Sequence, residues 1–184
     1  LQSTSNNPRN LGPQLINNCA NCIGIVINFA ELQTQLGKMA LIKSISGIRG
    51  TIGGRPGENL TPLDIVKFSA AYGTWVKRKS ASPLKVVLGR DARKSGTEIA
   101  LLVSTTLRRL GITVVDLGLV TTPTVELAVV GLSASGGVII TASHNPGEWD
   151  ALKLLNGKGE FLSASDGNEV LAIAENEDYF FVGI

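Results

Sequence analysis

The chain has few of the side chains that build metal centres. Its 184 residues include one histidine, two cysteines and one methionine, and aromatic residues make up only 5%. The two cysteines, Cys19 and Cys22, form a single C-x-x-C pair. A lone pair with no second ligand pair and no nearby histidine is weak evidence for zinc, and no β-α-β pattern surrounds it to suggest a thioredoxin-like motif. We therefore interpret both cysteines as free thiols.

The chain also lacks an excess of charge and a long apolar run. Seventeen basic and fifteen acidic residues are interspersed and leave a net charge of +2. Nothing in this distribution indicates a nucleic-acid partner. No apolar run approaches the roughly 18 to 20 residues that cross a bilayer, so no membrane partner is expected. Length and apolar content fit one soluble globular domain with a substantial core.

Residues 1–38 differ in composition from the rest. Residues 1–18 are rich in Asn, Gln, Ser and Pro and carry one charge, which predicts disorder. Residues 22–30 are apolar, but no basic residues flank them and no A-x-A-like site follows, so a signal peptide is the weaker interpretation. Regular strand and helix patterns begin directly after Met39, the only methionine, so we predict that Met39 is the first native residue. We predict that residues 1–38 are a disordered leader, upstream translated sequence or an added extension, and that residues 39–184 form the domain.

From Met39 onward, strand and helix patterns alternate. Repeated β-α units of this length predict an α/β fold with a mostly parallel mixed sheet and helices on both faces. Thr61 is expected as the N-cap of the first helix, with Pro62 at its first position. Gly111 is expected as a left-handed C-cap of the second. The predicted strands are 41–46, 85–88, 112–117, 137–141 and 151–155. The first predicted helix starts at Thr61, and the other three cover 95–110, 122–131 and 163–175. Residues 47–57 are predicted to be a loop.

The most informative segment reads T-A-S-H-N-P-G, residues 141–147, directly after an apolar run. The β-branched run and the turn-forming residues predict that Ser143 and His144 lie at the carboxyl end of a strand. Open α/β sheets build their sites at that edge. An Asn-Pro turn that merely closes the strand is the plain alternative.

Two further blocks occur in order along the chain. Residues 46–50 read S-G-I-R-G, and residues 89–96 read G-R-D-A-R-K-S-G. With T-A-S-H-N-P followed by E-W-D-A-L-K, these blocks resemble the α-D-phosphohexomutases over residues 39–173, the extent of the first of that family's four domains. The resemblance implies an enzyme in which Ser143 carries the phosphoryl group and Arg49, His144 and Lys153 line the active site.

The resemblance also implies a cofactor and a substrate class. Family members bind Mg²⁺ through the phosphoserine, here Ser143, and through a D-x-D-x-D loop of the second domain. This chain contains no D-x-D, so we expect a fragment whose later domains are missing and which is inactive alone. The substrate would be a hexose phosphate, and the E-W-x-A-L-K form of the loop favours a phosphoglucosamine mutase over a phosphomannomutase or phosphoglucomutase. The absence of cysteine after residue 38 fits a cytoplasmic protein.

The residue types fit this chemistry, although spacing alone leaves alternatives. Arg49, in a segment flanked by glycines, offers a planar fork for phosphate oxygens, or it is a loop arginine in solvent. Lys153 could be a point charge, a proton-transfer group or a surface lysine. Asp91, within the Arg90–Arg93 block, could tie its loop together by pairing with an arginine. Asp150 departs from the asparagine of many members and would repel a phosphoserine unless it is paired or turned away.

Two other functions compete with a mutase. The chain could be a non-catalytic α/β binding or assembly module that retains the loop as scaffold. Phosphate on Ser143 in the purified protein would distinguish the mutase from this module. A serine hydrolase is disfavoured because Ser143 is not in G-x-S-x-G and the adjacent His144 is poorly positioned to act as its base.

We predict that residues 1–38 contribute little to folding, because their composition offers few core contacts. A chain that begins at Met39 should melt within a few degrees of the 184-residue chain in a thermal unfolding experiment. A collapse of solubility on this truncation would instead indicate that residues 22–30 pack against the domain.

Overall fold

The structure, a computed structural model, describes residues 40–45, 47–81 and 84–183. The predictions for residues 1–38, for the C-x-x-C pair and for Met39 as the first native residue lie outside these ranges. In the described part of the chain, no helix has both the length and the apolar character needed to cross a membrane.

Strands and helices alternate largely as predicted. The strands are β1 (Ile42–Ser44), β2 (Gly47–Thr51), β3 (Lys85–Arg90), β4 (Thr113–Leu119), β5 (Gly136–Ile140) and β6 (Trp149–Leu155). The helices in the described residues are α1 (Pro62–Lys79), α2 (Gly96–Arg109), α3 (Thr122–Gly131) and α4 (Ala164–Glu175).

The strands form one mixed sheet in the order β1-β2-β6-β5-β3-β4. Strands β5, β3 and β4 pair in parallel, whereas β1, β2 and β6 join through antiparallel pairs. Strands β2, β3, β4 and β5 consequently run in one direction, and β1 and β6 run in the other. The predicted α/β class with a mixed sheet is confirmed, and parallel pairing is restricted to its β5-β3-β4 half.

The prediction of a loop over residues 47–57 is wrong for its first part, because β2 is a strand. The segment G-I-R-G-T is too rich in glycine to indicate a strand by itself. Its backbone groups instead find partners on β1 and β6, with Gly47 opposite Lys153 and Arg49 opposite Ala151. Gly47 has a φ of +147°, and a Cβ there would collide with the Leu152 carbonyl oxygen. The glycine is thus required by the close approach of β6.

Both predicted helix ends are confirmed. Thr61 caps α1 in a capping box with Asp64, whose backbone N–H donates to the Thr61 hydroxyl, and Pro62 opens the helix. Gly111 follows α2 with a φ of +81°, the left-handed conformation in which glycine carries no Cβ penalty. The chemistry of these residues specifies the boundaries locally.

The helices cover both faces of the sheet, as predicted. One face packs against α1, α2 and α4 in a large apolar cluster that includes Phe68, Tyr72 and Trp75 of α1. A smaller cluster lies under α3 on the opposite face. The Tyr72 hydroxyl ties α1 to the sheet, because it donates to the carbonyl oxygens of Leu155 at 2.7 Å and Gly137 at 3.1 Å.

Helix α3 lies unusually close to the sheet at Gly89. A Cβ on this buried glycine would lie 2.5 Å from Val125 Cγ2 and 2.6 Å from Val120 Cγ2. We expect Gly89→Ala to lower the free energy of unfolding by about 1–3 kcal/mol, because overpacking displaces α3. Urea unfolding measures the change.

Gly131→Ala is the matched control, because a Cβ at the last residue of α3 meets nothing within 4 Å. It should leave stability unchanged or raise it by up to about 1 kcal/mol. Equal stabilities of the two variants would contradict the close approach of α3 to β3.

Candidate active site

The four predicted site residues meet in one open cleft. A cavity of about 260 Å³ lies where β2 and β6 meet the segment after β5. Its lining consists of the predicted Arg49, Ser143, His144 and Lys153 together with Ser44, Gly47, Thr141, Ala142, Ala151 and Leu152. The structure therefore brings together residues that are separated by more than ninety positions in the sequence.

Strand register determines which side chains enter the cleft. Arg49 on β2 lies opposite Ala151 on β6, and Lys153 is two residues further along β6. Because side chains alternate between the faces of a sheet, Arg49, Ala151 and Lys153 share a face. Helix α3 packs on this face over β3 and β5. The small Ala151 side chain between the two cations leaves space for a ligand.

Ser143 is exposed and has a constrained backbone conformation. Its φ is +54°, a left-handed value that is uncommon for residues other than glycine. Its N–H donates to Thr141 Oγ1 at 3.1 Å, and its Oγ accepts a hydrogen bond from Lys153 Nζ at 2.8 Å. Such strain persists only where the surroundings stabilise it. The hydroxyl is thus held beside a cationic amine.

Arg49 and His144 border the same cleft. The Arg49 guanidinium donates to Asn145 Oδ1 at 3.4 Å, which links β2 to the serine loop, residues 141–149. Arg49 was expected on a loop but lies within β2. Its position is therefore determined by strand pairing with β6 and not by the flexibility of the flanking glycines. His144 is solvent-exposed beside Ser143.

Arg93 binds the backbone carbonyl oxygens of the serine loop. Its Nη1 donates to the carbonyl oxygens of Pro146 at 2.7 Å and Trp149 at 2.9 Å. Its Nη2 donates to those of Ser143 at 2.9 Å and Asn145 at 2.8 Å. Sequence reasoning considered this arginine only as support for its own loop. The G-R-D-A-R block was the available signal, but it did not indicate which segment the arginine contacts.

Asp91 completes this arrangement. Its Oδ2 accepts hydrogen bonds from Arg93 Nε at 3.2 Å and from Thr141 Oγ1 at 2.6 Å, and its Oδ1 accepts from the Arg93 N–H at 2.9 Å. The expectation that Asp91 pairs with an arginine is confirmed. The carboxylate thereby connects the end of β3 to the end of β5.

Asp150 does not face the cleft. It adjoins Ala151 on β6, so its side chain projects to the opposite face, where it is fully buried. Its Oδ2 accepts a 2.6 Å hydrogen bond from Ser95 Oγ, and its Oδ1 accepts from the Ala151 N–H. Burial raises the pKa of the Asp150 carboxyl, while these hydrogen bonds oppose the increase. Pairing and orientation would therefore keep the Asp150 carboxylate from repelling a phosphate group on Ser143.

The described residues offer no ligand set for a metal ion. No group of three or more His, Cys, Asp or Glu side chains is arranged to bind a metal in this part of the chain. The cleft itself presents Arg49 and Lys153, which suit anions. A phosphate on Ser143 would add oxygen ligands, but Mg²⁺ requires a near-octahedral shell that these residues do not complete.

Comparison with known proteins identifies related sequences and a matching domain family. The model of the phosphoglucomutase/phosphomannomutase α/β/α domain I matches residues 41–180. A phosphoglucomutase/phosphomannomutase of Thermococcus kodakarensis is 36% identical over 71% of this chain and 29% of its own length. A phosphoglucosamine/phosphogalactosamine mutase of Sulfurisphaera tokodaii is 34% identical over 78% of this chain and 28% of its own.

A solved structure agrees with the sequence matches. A protein of Thermus thermophilus, named as a candidate phosphomannomutase, superposes with a TM-score of 0.65 at 29% identity and covers 73% of this chain and 30% of its own. The chain spans less than a third of the length of the curated relatives it matches. Through the match of residues 41–180 to domain I, the chain belongs to the phosphoglucomutase/phosphomannomutase family.

Proposed function

We propose that this chain supplies the phosphoserine domain of a phosphohexomutase that interconverts hexose 1- and 6-phosphates, with an amino sugar as the preferred hexose. The observation that carries the proposal is the 2.8 Å contact between Lys153 Nζ and Ser143 Oγ in a cleft that also contains Arg49. A phosphorylated Ser143 would carry close to two negative charges. Two fixed cations and no carboxylate among the described lining residues match that charge.

In the proposed reaction, Ser143 is the phosphoryl carrier. A sugar hydroxyl attacks phosphorus, a bond to the sugar oxygen forms, and the bond to Ser143 Oγ breaks. Lys153 is at hydrogen-bond distance from Oγ, so its ammonium group can give the leaving oxygen a proton and regain one from the sugar hydroxyl. The resulting hexose bisphosphate reorients in the site so that its other phosphate faces Ser143. That phosphoryl group then returns to Ser143 Oγ by the same steps in reverse.

Arg49 and His144 would bind the transferring group. The Arg49 fork suits two phosphate oxygens, and its weak 3.4 Å contact with Asn145 leaves donors for them. His144 is exposed on the cleft wall and can donate a hydrogen bond to a sugar or phosphate oxygen. Positioning and charge stabilisation account for most of the acceleration in such transfers.

The preference for an amino sugar rests on the S. tokodaii relative, which is named as acting on glucosamine and galactosamine phosphates, and on the E-W-x-A-L-K form of the loop. The T. kodakarensis relative supports glucose or mannose phosphate as the alternative substrates. Relative kcat/KM values of the complete enzyme for glucosamine, mannose and glucose 1-phosphates would decide between them.

The proposed Mg²⁺ would bind a phosphoserine oxygen of Ser143 and further ligands outside this chain. The ion would supply Lewis-acid stabilisation of the phosphoryl group. Those ligands belong to the remaining domains that we propose for the complete protein, since the relatives are more than three times as long as the matched segment. The cytoplasmic location predicted from the cysteine-free sequence after residue 38 stays a prediction.

A non-catalytic module that retains the loop is the competing proposal. The left-handed Ser143 supports catalysis, because a scaffold has no need to maintain a strained residue beside a lysine. Mass spectrometry of the complete protein that contains this domain, before and after incubation with glucosamine 1,6-bisphosphate, tests this. Phosphate on Ser143 supports the mutase, and its absence under both conditions supports the module.

In the complete enzyme, we expect Ser143→Ala to preserve the fold and to lower turnover by several orders of magnitude, because no other group can carry the phosphoryl. Arg49→Ala and Lys153→Ala should each reduce turnover about 10²-fold or more, since each removes one stabilising charge and leaves the carrier. Single-turnover transfer from enzyme labelled at the serine measures these effects.

Lys158→Ala is the matched control for Lys153, because Lys158 is an exposed lysine on the turn that follows β6. Its turnover should equal that of the unmodified enzyme. Near-normal turnover of Ser143→Ala, or mapping of the label to another residue, would disprove the assignment of the carrier.

We further expect the 184-residue chain alone to have no mutase activity, even with Mg²⁺ and a hexose bisphosphate primer. The physical reason is that one domain supplies one side of the cleft and too few magnesium ligands. A coupled assay of hexose 6-phosphate formation measures this. Robust turnover by this chain would contradict the expectation.

A further inference from the structure

Arg93 is fully engaged on the side of the serine loop away from the cleft. All five guanidinium N–H groups have acceptors, namely Asp91 Oδ2 and the carbonyl oxygens of Ser143, Asn145, Pro146 and Trp149. The Arg93 side chain is only 12% exposed. This side chain therefore has no donor left for a substrate, and its effect on the site must pass through the loop.

The hydrogen bonds of Arg93 determine the orientation of the loop peptides. In a trans peptide the C=O and the N–H of the same unit point in opposite directions. Because the Ser143 carbonyl oxygen points toward Arg93, the N–H of His144 points away from it. None of the residues that the structure describes accepts a hydrogen bond from this N–H, and Ser143 and His144 both line the cleft.

We propose that Arg93 is a positioning residue that turns the Ser143–His144 peptide so that the His144 N–H becomes a donor to a phosphoryl group on Ser143. This inference rests on the proposed function, because it assigns a backbone donor to the phosphoserine. With Lys153 Nζ, the site then offers one charged and one neutral donor close to Ser143 Oγ. Backbone N–H groups held in place before the reaction stabilise phosphoryl oxygens without reorganisation.

Shape, rather than charge, makes arginine necessary at this position. Only a planar fork with five donors reaches four carbonyl oxygens and a carboxylate at once, whereas the ammonium group of lysine has three donors. Asp91 already offsets much of the positive charge through the 3.2 Å ion pair. A lysine at position 93 would preserve the charge and lose the orientation of the loop.

The test uses the full chain, unmodified and with phosphoserine installed at position 143 during translation. In ¹H–¹⁵N spectra, phosphorylation should shift the His144 amide proton downfield, as expected for a hydrogen bond to phosphate. In Arg93→Lys this shift should be lost. Amide exchange at Asn145 and Trp149 should accelerate by about tenfold or more, the factor expected for loss of a hydrogen bond of about 1.4 kcal/mol.

Arg90→Lys is the matched control, since Arg90 lies in the same block and donates no hydrogen bond to the serine loop among the described residues. It should keep the downfield shift and the slow exchange. Asp91→Asn is the second variant if Arg93→Lys does not fold. It weakens the anchoring of Arg93 and should accelerate exchange at the same two amides by about threefold or more.

The outcomes separate this proposal from the proposed function. Because the phosphate is installed directly, the spectra do not depend on phosphoryl transfer by the chain. A downfield shift and slow exchange that persist in Arg93→Lys would overturn the role of Arg93, as would unchanged loop exchange in Asp91→Asn. Failure of a sugar bisphosphate to phosphorylate Ser143 in the complete enzyme would count against the mutase and leave the loop result intact.

Discussion

The site depends on one guanidinium group. Arg93 binds four carbonyl oxygens of the serine loop, and Asp91 orients it through a 3.2 Å ion pair. Asp91 also accepts a hydrogen bond from Thr141, which in turn accepts one from the Ser143 N–H. Without these contacts, the left-handed Ser143 would lose the partners that stabilise it. A strained serine is thus maintained by a hydrogen-bond network at the ends of β3 and β5.

The cleft results from the way β2 and β6 extend the parallel part of the sheet. Antiparallel pairing brings Arg49 opposite Ala151, so two cations lie on one face with a small residue between them. The same alternation turns Asp150 to the opposite face, where Ser95 binds it. Strand register therefore separates the positive charges that suit phosphate from the carboxylate that would repel it.

Local sequence was a reliable guide where a residue's own chemistry determines the backbone. Thr61 and Pro62 indicated the start of α1, and Gly111 indicated the end of α2, because capping and left-handed conformations depend on neighbouring residues only. Strand β2 was missed because its glycines carry no strand signal, and its conformation is stabilised by hydrogen bonds from β1 and β6. Long-range pairing does not appear in local periodicity.

The sequence by itself determined the α/β class, the family resemblance and the candidate residues Arg49, Ser143, His144 and Lys153. Ordered motifs and residue chemistry can be recognised from the order of amino acids alone. Tertiary structure alone decided that Lys153 contacts Ser143, that Arg93 supports the serine loop and that Asp150 faces away. The physical reason is that hydrogen-bond partners and sheet faces follow from strand register. Register is set by contacts between segments that are distant in the chain.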